Sequence, residues 1–142
     1  MRRLLALFAR YCAHHLILPR PGPVLRDRAG ACVGRVGHVT LHGNRIVVTG
    51  WAGAGDRVTI EDDQGHRSGV HADLAAGEGA APGAAGFTVT LPCHPRALGI
   101  SLDTAGGEIR AALALPGRLA IGLARAALLP GFAARLVRAA PL

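Results

Sequence analysis

The chain of 142 residues has room for one domain with one ordinary hydrophobic core and little more. It is half hydrophobic, poor in aromatic side chains, and carries a net charge of +7 from 16 basic and nine acidic residues. Three cysteines without a close pair argue against a disulfide framework and indicate a reducing compartment.

The charge is distributed unevenly along the chain. Residues 1–26 contain five arginines and no acid, and residues 109–142 contain five more and no acid, so all nine acidic residues lie between them. Lysine is absent, which together with abundant Ala, Gly and Pro is typical of a GC-rich bacterial genome. Two basic ends around an acidic middle indicate ends that touch something anionic; the alternative is that arginine lines the solvated faces of two helical tails.

Residues 1–18 are predicted to form a basic amphipathic helix. At 100° per residue, one side carries the apolar residues Leu4, Leu5, Phe8, Tyr11 and Cys12, and the other carries Arg3, Arg10 and His14. The apolar run ends at Arg10, too early for a signal peptide. Three prolines then predict an extended linker over 19–31.

The hydrophobic period changes from 3.6 to 2 in the next segment, 32–116. Seven short alternating runs are separated by turn residues: 34–42, 45–52, 57–61, 66–70, 86–91, 99–103 and 108–115. Gly43-Asn44 is a good two-residue hairpin turn between the first two. Such spacing predicts a mainly β fold, an antiparallel β-sandwich of about seven strands flanked by amphipathic helices.

After Pro116-Gly117 the helical period returns and predicts a basic helical tail over 117–142, interrupted at Pro130-Gly131. The apolar stretch 111–129 resembles a membrane span. Arg118 and Arg125 lie within it, and two arginines near the bilayer centre outweigh what its leucines and isoleucines gain. We therefore expect this stretch not to span a bilayer.

Trp51, the only tryptophan, lies in the second predicted strand. A Gly43-Asn44 turn in perfect register places Trp51 opposite Val36 on the more polar face of the hairpin, beside His38 and Thr49. Pyranose C–H faces stack on aromatic rings while sugar hydroxyls need polar partners. This register therefore predicts a sugar-binding platform.

Gly50, directly before Trp51, favours the opposite interpretation. A glycine inside a strand often marks a bulge, and one extra residue there would turn Trp51 inward. We therefore predict that Gly50 bends the strand and that Trp51 closes one end of the core against Val36 or Phe87. The sugar platform is the alternative.

Metal and catalytic motifs are weak in this chain. Glu61-Asp62-Asp63 resembles the acidic pairs that bind a divalent ion in sugar-nucleotide enzymes, but Gln64-Gly65 follow it, and aspartate is favoured in such a turn for its backbone hydrogen bonds. The adjacent Cys93-His94 is poorly placed to share one tetrahedral zinc ion, and no CxxC, HExxH, GxSxG or Walker A spacing occurs. We predict no metal site, no catalytic residue and no cofactor.

Four short motifs carry a resemblance to a known family: Gly37 to Val39, Val48 to Ala52, His71 to Leu74, and Gly86-Phe87. Residues 32–115 resemble the small β module that precedes the catalytic domain in many alphaproteobacterial glycosyltransferases. His71 stands where that family usually has arginine, and the family continues into a nucleotide-sugar-binding α/β domain where this sequence stops. The resemblance therefore implies an accessory module of cell-envelope polysaccharide synthesis rather than a transferase.

Taken together, these features predict a non-catalytic, cytoplasmic protein, peripheral on the inner membrane, that docks through its basic helices. The expected partner is an anionic membrane surface, or a glycosyltransferase or other envelope-synthesis protein. The expected contact residues are Arg2, Arg3, Phe8, Arg10, Arg118, Arg125, Arg135 and Arg138.

Two other functions remain open. The first is a carbohydrate-binding module that uses Trp51, His38 and Thr49. The second, less favoured, is a nucleic-acid-binding protein or a metal-dependent enzyme. Nucleic acid ranks low as a partner because the predicted strands lack the surface aromatics on which single strands stack.

Overall fold

The computed structural model describes residues 2–43, 45–77, 80–92, 97–115 and 117–139. Within these ranges the chain forms nine strands in two antiparallel sheets, with one helix before them and two after them. The predicted fold class, an antiparallel sandwich flanked by helices, is confirmed. The elements in chain order are α1 (Arg2–His15), β1 (Ile17–Pro21), β2 (Val24–Arg26), β3 (Cys32–His42), β4 (Arg45–Gly53), β5 (Arg57–Asp62), β6 (Arg67–His71), β7 (Ala84–Leu91), β8 (Leu98–Thr104), β9 (Gly107–Leu113), α2 (Arg118–Ala127) and α3 (Leu129–Ala139).

The seven strands expected between residues 32 and 116 are β3 to β9. The segment 19–31, expected to be a linker, instead contributes to two further strands, β1 and β2, both of which pair with β3. Pro19 and Pro21 lie within β1, which is the edge strand of its sheet. Proline lacks an N–H to donate, so it is tolerated where one side of a strand has no neighbour.

One sheet has the strand order β1-β3-β4-β7, with β2 also on β3, and the other has the order β6-β5-β8-β9. The inward residues of both sheets form one core, because alternate side chains of a strand point to the same face. The largest fully buried side chains are Leu16, Leu25, Val36, Val39, Leu41, Val48, Val58, Ile60, Phe87, Leu91, Ile100 and Leu102.

The pairing of β3 with β4 contains one irregularity. The register is perfect from the hairpin turn to Thr49, but beyond it Arg35 lies opposite Trp51, so Gly37 is an extra residue on β3. The irregularity therefore lies beside Gly50, as predicted, but the extra residue is on β3 and not on β4. The bulge lies on the partner strand, and β4 keeps its regular alternation.

Gly50 is required for a different reason, which is the space around it. It lies opposite Phe87 on β7, and its missing side chain would point into the core. A Cβ built there would lie 2.9 Å from the ring Cζ of Phe87 and would collide with the backbone oxygen of Arg35. The ring of Phe87 thus fills the space that a side chain at position 50 would occupy.

Helix α1 is anchored on the hairpin turn between β3 and β4. The N–H of Gly43 donates a hydrogen bond of 2.7 Å to the carbonyl of Leu16, whose side chain is in the core. Gly43 has φ of +63°, and a Cβ there would collide with the carbonyl oxygen of Ala13.

Burial raises the pKa of the Cys12 thiol in this helix, so the thiol stays protonated and packs as a small apolar group. Asn44, the other predicted turn residue, lies outside the described residues.

Replacing Gly43 by alanine is expected to loosen α1. The left-handed backbone disfavours any side chain, and the Cβ must also displace the end of the helix, so we expect a loss of about 2 kcal/mol in the free energy of unfolding. Urea unfolding measures this loss, and faster tryptic cleavage at Arg10 reports the released helix.

Gly55→Ala is the matched control for this change. Gly55 also has positive φ, +85°, but nothing lies within 4 Å of its would-be Cβ. The Gly55→Ala variant should lose only the stability that the strain of the left-handed backbone costs. Its helix α1 should resist trypsin as well as it does in the parent chain. Equal effects at both positions would contradict the anchoring of α1 at this turn.

Candidate functional site

The three helices form one layer on the sandwich, which we call the helical layer. Two side chains of α2, Ile121 and Ala124, pack against the core, as does Leu128 directly after the helix. In α3, Phe132 is buried against α1, with its ring centroid 5.1 Å from Phe8 and 5.5 Å from Tyr11. Gly131 permits this approach, because a Cβ there would lie 2.7 Å from the Tyr11 hydroxyl. The two ends of the chain are therefore joined by aromatic contacts.

The outward face of the C-terminal helices is apolar and uncovered. Six exposed residues recur at the three- and four-residue spacing of one helix face. They are Leu119, Leu123 and Ala126 of α2 and Pro130, Ala133 and Val137 of α3. Leu119 is 78% exposed and Val137 is 76% exposed, values typical of side chains with no cover. We call these six residues the outer stripe. A contiguous apolar surface of this kind marks an interaction site.

Most of the predicted contact arginines lie on this layer and are exposed. They are Arg2, Arg3, Arg10, Arg125, Arg135 and Arg138. The side chain of Arg118 lies outside the described part of the chain. Phe8 is half-buried against Phe132, so its ring is engaged inside the layer rather than facing outward.

A groove of about 600 Å³ runs between α1 and α3. Its apolar wall is formed by Leu7, Tyr11, Phe132 and Leu136, and basic side chains line it as well: Arg10, His14, His15, Arg135 and Arg138. Sequence reasoning placed the arginines on the helices but did not bring α1 and α3 together, so it missed this groove.

Arg135 has a structural role in the groove. Its guanidinium carbon lies 5.7 Å from the centroid of the Tyr11 ring, and its Nη1 donates to Nε2 of His15 at 3.2 Å. A guanidinium only donates, so Nε2 of His15 is the acceptor in this contact. Arg135 is thus held in place, whereas Arg10 and Arg138 are exposed side chains free of this constraint.

The helical stretch Leu119–Arg138 is long and apolar enough to cross a membrane on length and composition alone, with mean hydropathy 1.4. Its inward face is already occupied, because α2 packs on the core and Phe132 packs on α1. In this structure the stretch lies along the protein as part of the helical layer.

Trp51 is the second candidate site, and its predicted place in the core was wrong. The alternation of β4 points it away from the buried face, and its side chain is half-buried. It lies between Arg35 on β3 and Gly86 on β7 rather than opposite Val36. Because the bulge is on β3 and not on β4, nothing turns the indole inward.

Thr49 and His38 share this outer face. They lie directly opposite each other, as predicted from the perfect register, and Thr49 is two residues before Trp51 on the same strand. Thr49 is half-buried and His38 is exposed. The three residues of the alternative interpretation are therefore on one side of the sheet.

Trp51 also lines a cleft of about 750 Å³ at one end of the sandwich, which we call the end cleft. Four connections meet there: residues 27–32 before β3, residues 53–56 after β4, residues 81–84 before β7, and the β8–β9 hairpin at 104–109. The charged and hydroxyl side chains that line it are Asp27, Arg28, Asp56, Thr104 and Glu108. Sequence reasoning treated these residues as separate turns and missed the cleft.

Hydrogen bonds hold two of these carboxylates in place. Asp27 Oδ1 accepts from the N–H of Ala31 at 2.9 Å. Glu108 Oε1 accepts from the Ser101 hydroxyl and from Nε of Arg110, both at 2.7 Å. These two donors hold the pKa of Glu108 below its ordinary value of 4.5, so it is ionised at neutral pH.

The acidic triplet leads into a turn, as predicted: Glu61 and Asp62 end β5, and Asp63 begins the turn. Asp62 is buried and accepts from the N–H groups of Gln64 and His66, at 2.9 and 2.8 Å, and its Oδ2 lies 2.8 Å from Nδ1 of His66. Among the described residues, no group of three or more His, Cys, Asp or Glu side chains could hold a metal ion. Cys93 and His94 lie outside the described residues.

Comparison of this chain with protein-family models, with curated proteins and with solved structures gave no match.

Proposed function

We propose that this protein is a non-catalytic β-sandwich module that docks through its helical layer on an anionic membrane surface. The proposal rests on the chemistry of the helical layer. Its outer stripe is apolar, uncovered and flanked by arginines. The two chain segments that supply the three helices, 1–26 and 109–142, contain no acidic residue. An anionic lipid surface complements both features, because its acyl region accepts the leucines and its headgroups attract the arginines.

The helices dock along the surface in this proposal and do not cross it. Ile121, Ala124 and Leu128 are engaged with the core, and Phe132 is engaged with α1, so the outer stripe is available to lipid and the inward face of these helices is not. A helix with one face on the protein and the other uncovered fits an orientation in the plane of the interface.

The groove between α1 and α3 fits the headgroup of an anionic lipid. Arg10 and Arg138 line it with exposed guanidinium groups, which bind phosphate oxygens with charge-assisted hydrogen bonds. Leu7 and Leu136 line the same groove and offer apolar surface to the first carbons of an acyl chain.

The resemblance of residues 32–115 to the module that precedes glycosyltransferase catalytic domains supports a place for this protein in envelope polysaccharide synthesis. We propose that it works at the cytoplasmic face of the inner membrane, beside a glycosyltransferase or another envelope-synthesis protein. Anionic lipid on that face would supply the surface that the helical layer needs.

Sedimentation with liposomes tests the proposal. The chain should sediment with vesicles that contain phosphatidylglycerol, remain in the supernatant with neutral phosphatidylcholine vesicles, and be released as the salt concentration rises. The variant Arg10→Gln with Arg138→Gln removes two groove arginines. At about 1 kcal/mol for each arginine near the surface, it should bind about 30-fold more weakly.

The double variant Arg57→Gln with Arg67→Gln is the matched control. It removes the same charge from the four-stranded sheet, where both side chains are exposed and lie on strands away from the helical layer. It should bind vesicles as the parent chain does. Equal recovery of the parent chain with anionic and neutral vesicles at low salt would contradict membrane docking and favour a protein partner.

A further inference from the structure

The structure of the end cleft points to a second binding activity, independent of membrane docking. We infer that the end cleft binds a neutral sugar, with one face of a pyranose ring stacked on the indole of Trp51. The cleft volume of about 750 Å³ is within the range of small-ligand sites, and aromatic and polar groups converge in it.

Trp51 is a rigid platform for stacking. Its strand, β4, lies in the sheet interior between β3 and β7, so the backbone that carries the indole is hydrogen-bonded on both sides. Its neighbour in register on β7 is Gly86, where a side chain would meet the backbone oxygen of Ala75 at 2.6 Å, so the segment at Leu74 and Ala75 packs on the sheet beside Trp51. A half-buried aromatic face fixed in this way supplies contact area with little loss of conformational entropy on binding.

The polar groups of the cleft suit hydroxyl donors. Asp27 and Asp56 bring two carboxylates to the cleft, and a carboxylate accepts about four hydrogen bonds, so Asp27, which accepts one from Ala31, retains capacity. Thr104 adds a hydroxyl among the lining residues. Sugar hydroxyls donate to carboxylates, and such charge-assisted bonds orient a ring that stacking alone would leave free to rotate.

The charged groups at the cleft nearly balance. Asp27 and Asp56 line it together with Arg28, Glu108 is paired with Arg110 at 2.7 Å, and Arg35 lies opposite Trp51 in register on β3. A neutral sugar needs no net charge in its site, so its recognition rests on the indole and on the hydrogen-bond acceptors.

The connections that form the cleft are tied to one another, so the site is built before a ligand arrives. The N–H of Ala54 donates to the carbonyl of Gly83 at 3.3 Å, which joins the connection after β4 to the one before β7. The N–H of Asp56 donates to the carbonyl of Gly53 at 3.0 Å. A Cβ at Gly53 would lie 2.7 Å from Oδ2 of Asp56, so this glycine makes room for the carboxylate.

The end cleft and the helical layer lie at opposite ends of the β3–β4 hairpin. Helix α1 contacts the hairpin turn at Gly43, whereas the cleft includes Cys32 at the far end of β3. The eleven residues of β3 place the two about 30 Å apart. Sugar binding and lipid binding can therefore be measured separately.

Trp51 itself reports binding, because it is the only tryptophan in the chain. The parent chain is titrated with glucose, galactose, mannose, N-acetylglucosamine and their β-linked disaccharides, up to the solubility limit of each sugar. At least one sugar should change the tryptophan emission saturably. The same sugar should shift the amide NMR signals of residues 27–32 and 104–109 and should protect the exposed thiol of Cys32 from alkylation, measured by mass spectrometry of its peptide.

Variants separate the cleft from the polar face beside it. Trp51→Ala and Asp56→Asn should each weaken binding about tenfold or more in NMR titrations, and Trp51→Phe should restore part of the affinity. Thr49→Ala is the matched control, because Thr49 shares the strand and face of Trp51 but does not line the cleft, and it should bind within about twofold of the parent.

Three results would overturn the inference. One is the absence of any saturable change with every sugar in the panel while the chain is folded. Another is saturable binding of tetramethylammonium without binding of any sugar, which would make the indole and carboxylates a site for organic cations. Signal changes confined to Thr49 and His38 would likewise reject the cleft in favour of the outer face of the sheet.

Discussion

Replacement of Phe87 by alanine is expected to lower the free energy of unfolding by about 3–5 kcal/mol. The ring is 2% exposed and packs over Gly50, so no side chain opposite it can move in to fill the vacated space. The loss combines the transfer of the ring out of the core with the cavity it leaves. Urea unfolding followed by circular dichroism measures it.

Trp51→Ala is the informative comparison for this change. Tryptophan is the larger residue, yet its side chain is half-buried outside the core, so we expect a loss of about 1–2 kcal/mol. A loss at Trp51 as large as that at Phe87 would show that the indole is a core residue and would remove the basis of the sugar site.

Replacement of Gly50 by alanine is expected to lower the free energy of unfolding by about 3 kcal/mol, although it adds one methyl group. The added carbon meets the ring of Phe87 and the backbone oxygen of Arg35. A backbone oxygen in a paired strand cannot move without disturbing the ladder, which places the effect at the upper end of overpacking. Thermal and urea unfolding measure it.

Gly37→Ala is the matched control for Gly50. Both glycines lie in the same hairpin, but a Cβ at Gly37 would lie 3.5 Å from the backbone oxygen of Thr49, an ordinary contact. Alanine there reduces the freedom of the unfolded chain, so stability should be unchanged or slightly higher. Equal losses of stability in the two variants would contradict this explanation. They would mean that the hairpin needs its glycines for the bulge and not for the space around Gly50.

The strands of the sandwich could be predicted because their signal is local. Alternation of apolar and polar residues over five to eight positions places β3 to β9 without reference to the rest of the chain. The same holds for α1, whose apolar stripe recurs within each turn. Strand β1 could not be predicted in this way because of its prolines. An edge strand tolerates proline only when a partner strand, here β3, pairs with it.

The orientation of Trp51 could not be predicted in the same way. In the sequence, Gly37 and Gly50 are both candidates for a bulge, and each choice places the indole on a different face. The choice depends on the ring of Phe87, more than thirty residues farther along the chain, which occupies the space beside Gly50.

Periodicity and charge are properties of neighbouring residues, so the fold class and the basic, acid-free character of the two ends could be predicted from the sequence. The surfaces that those residues form could not be predicted, because they depend on tertiary packing. The folded chain joins α1 to α3 through Phe8, Tyr11 and Phe132, leaves the outer stripe uncovered, and brings Trp51, Asp27 and Asp56 to one cleft. Such groupings depend on contacts between residues far apart in the chain, and those contacts arise only when the whole core packs.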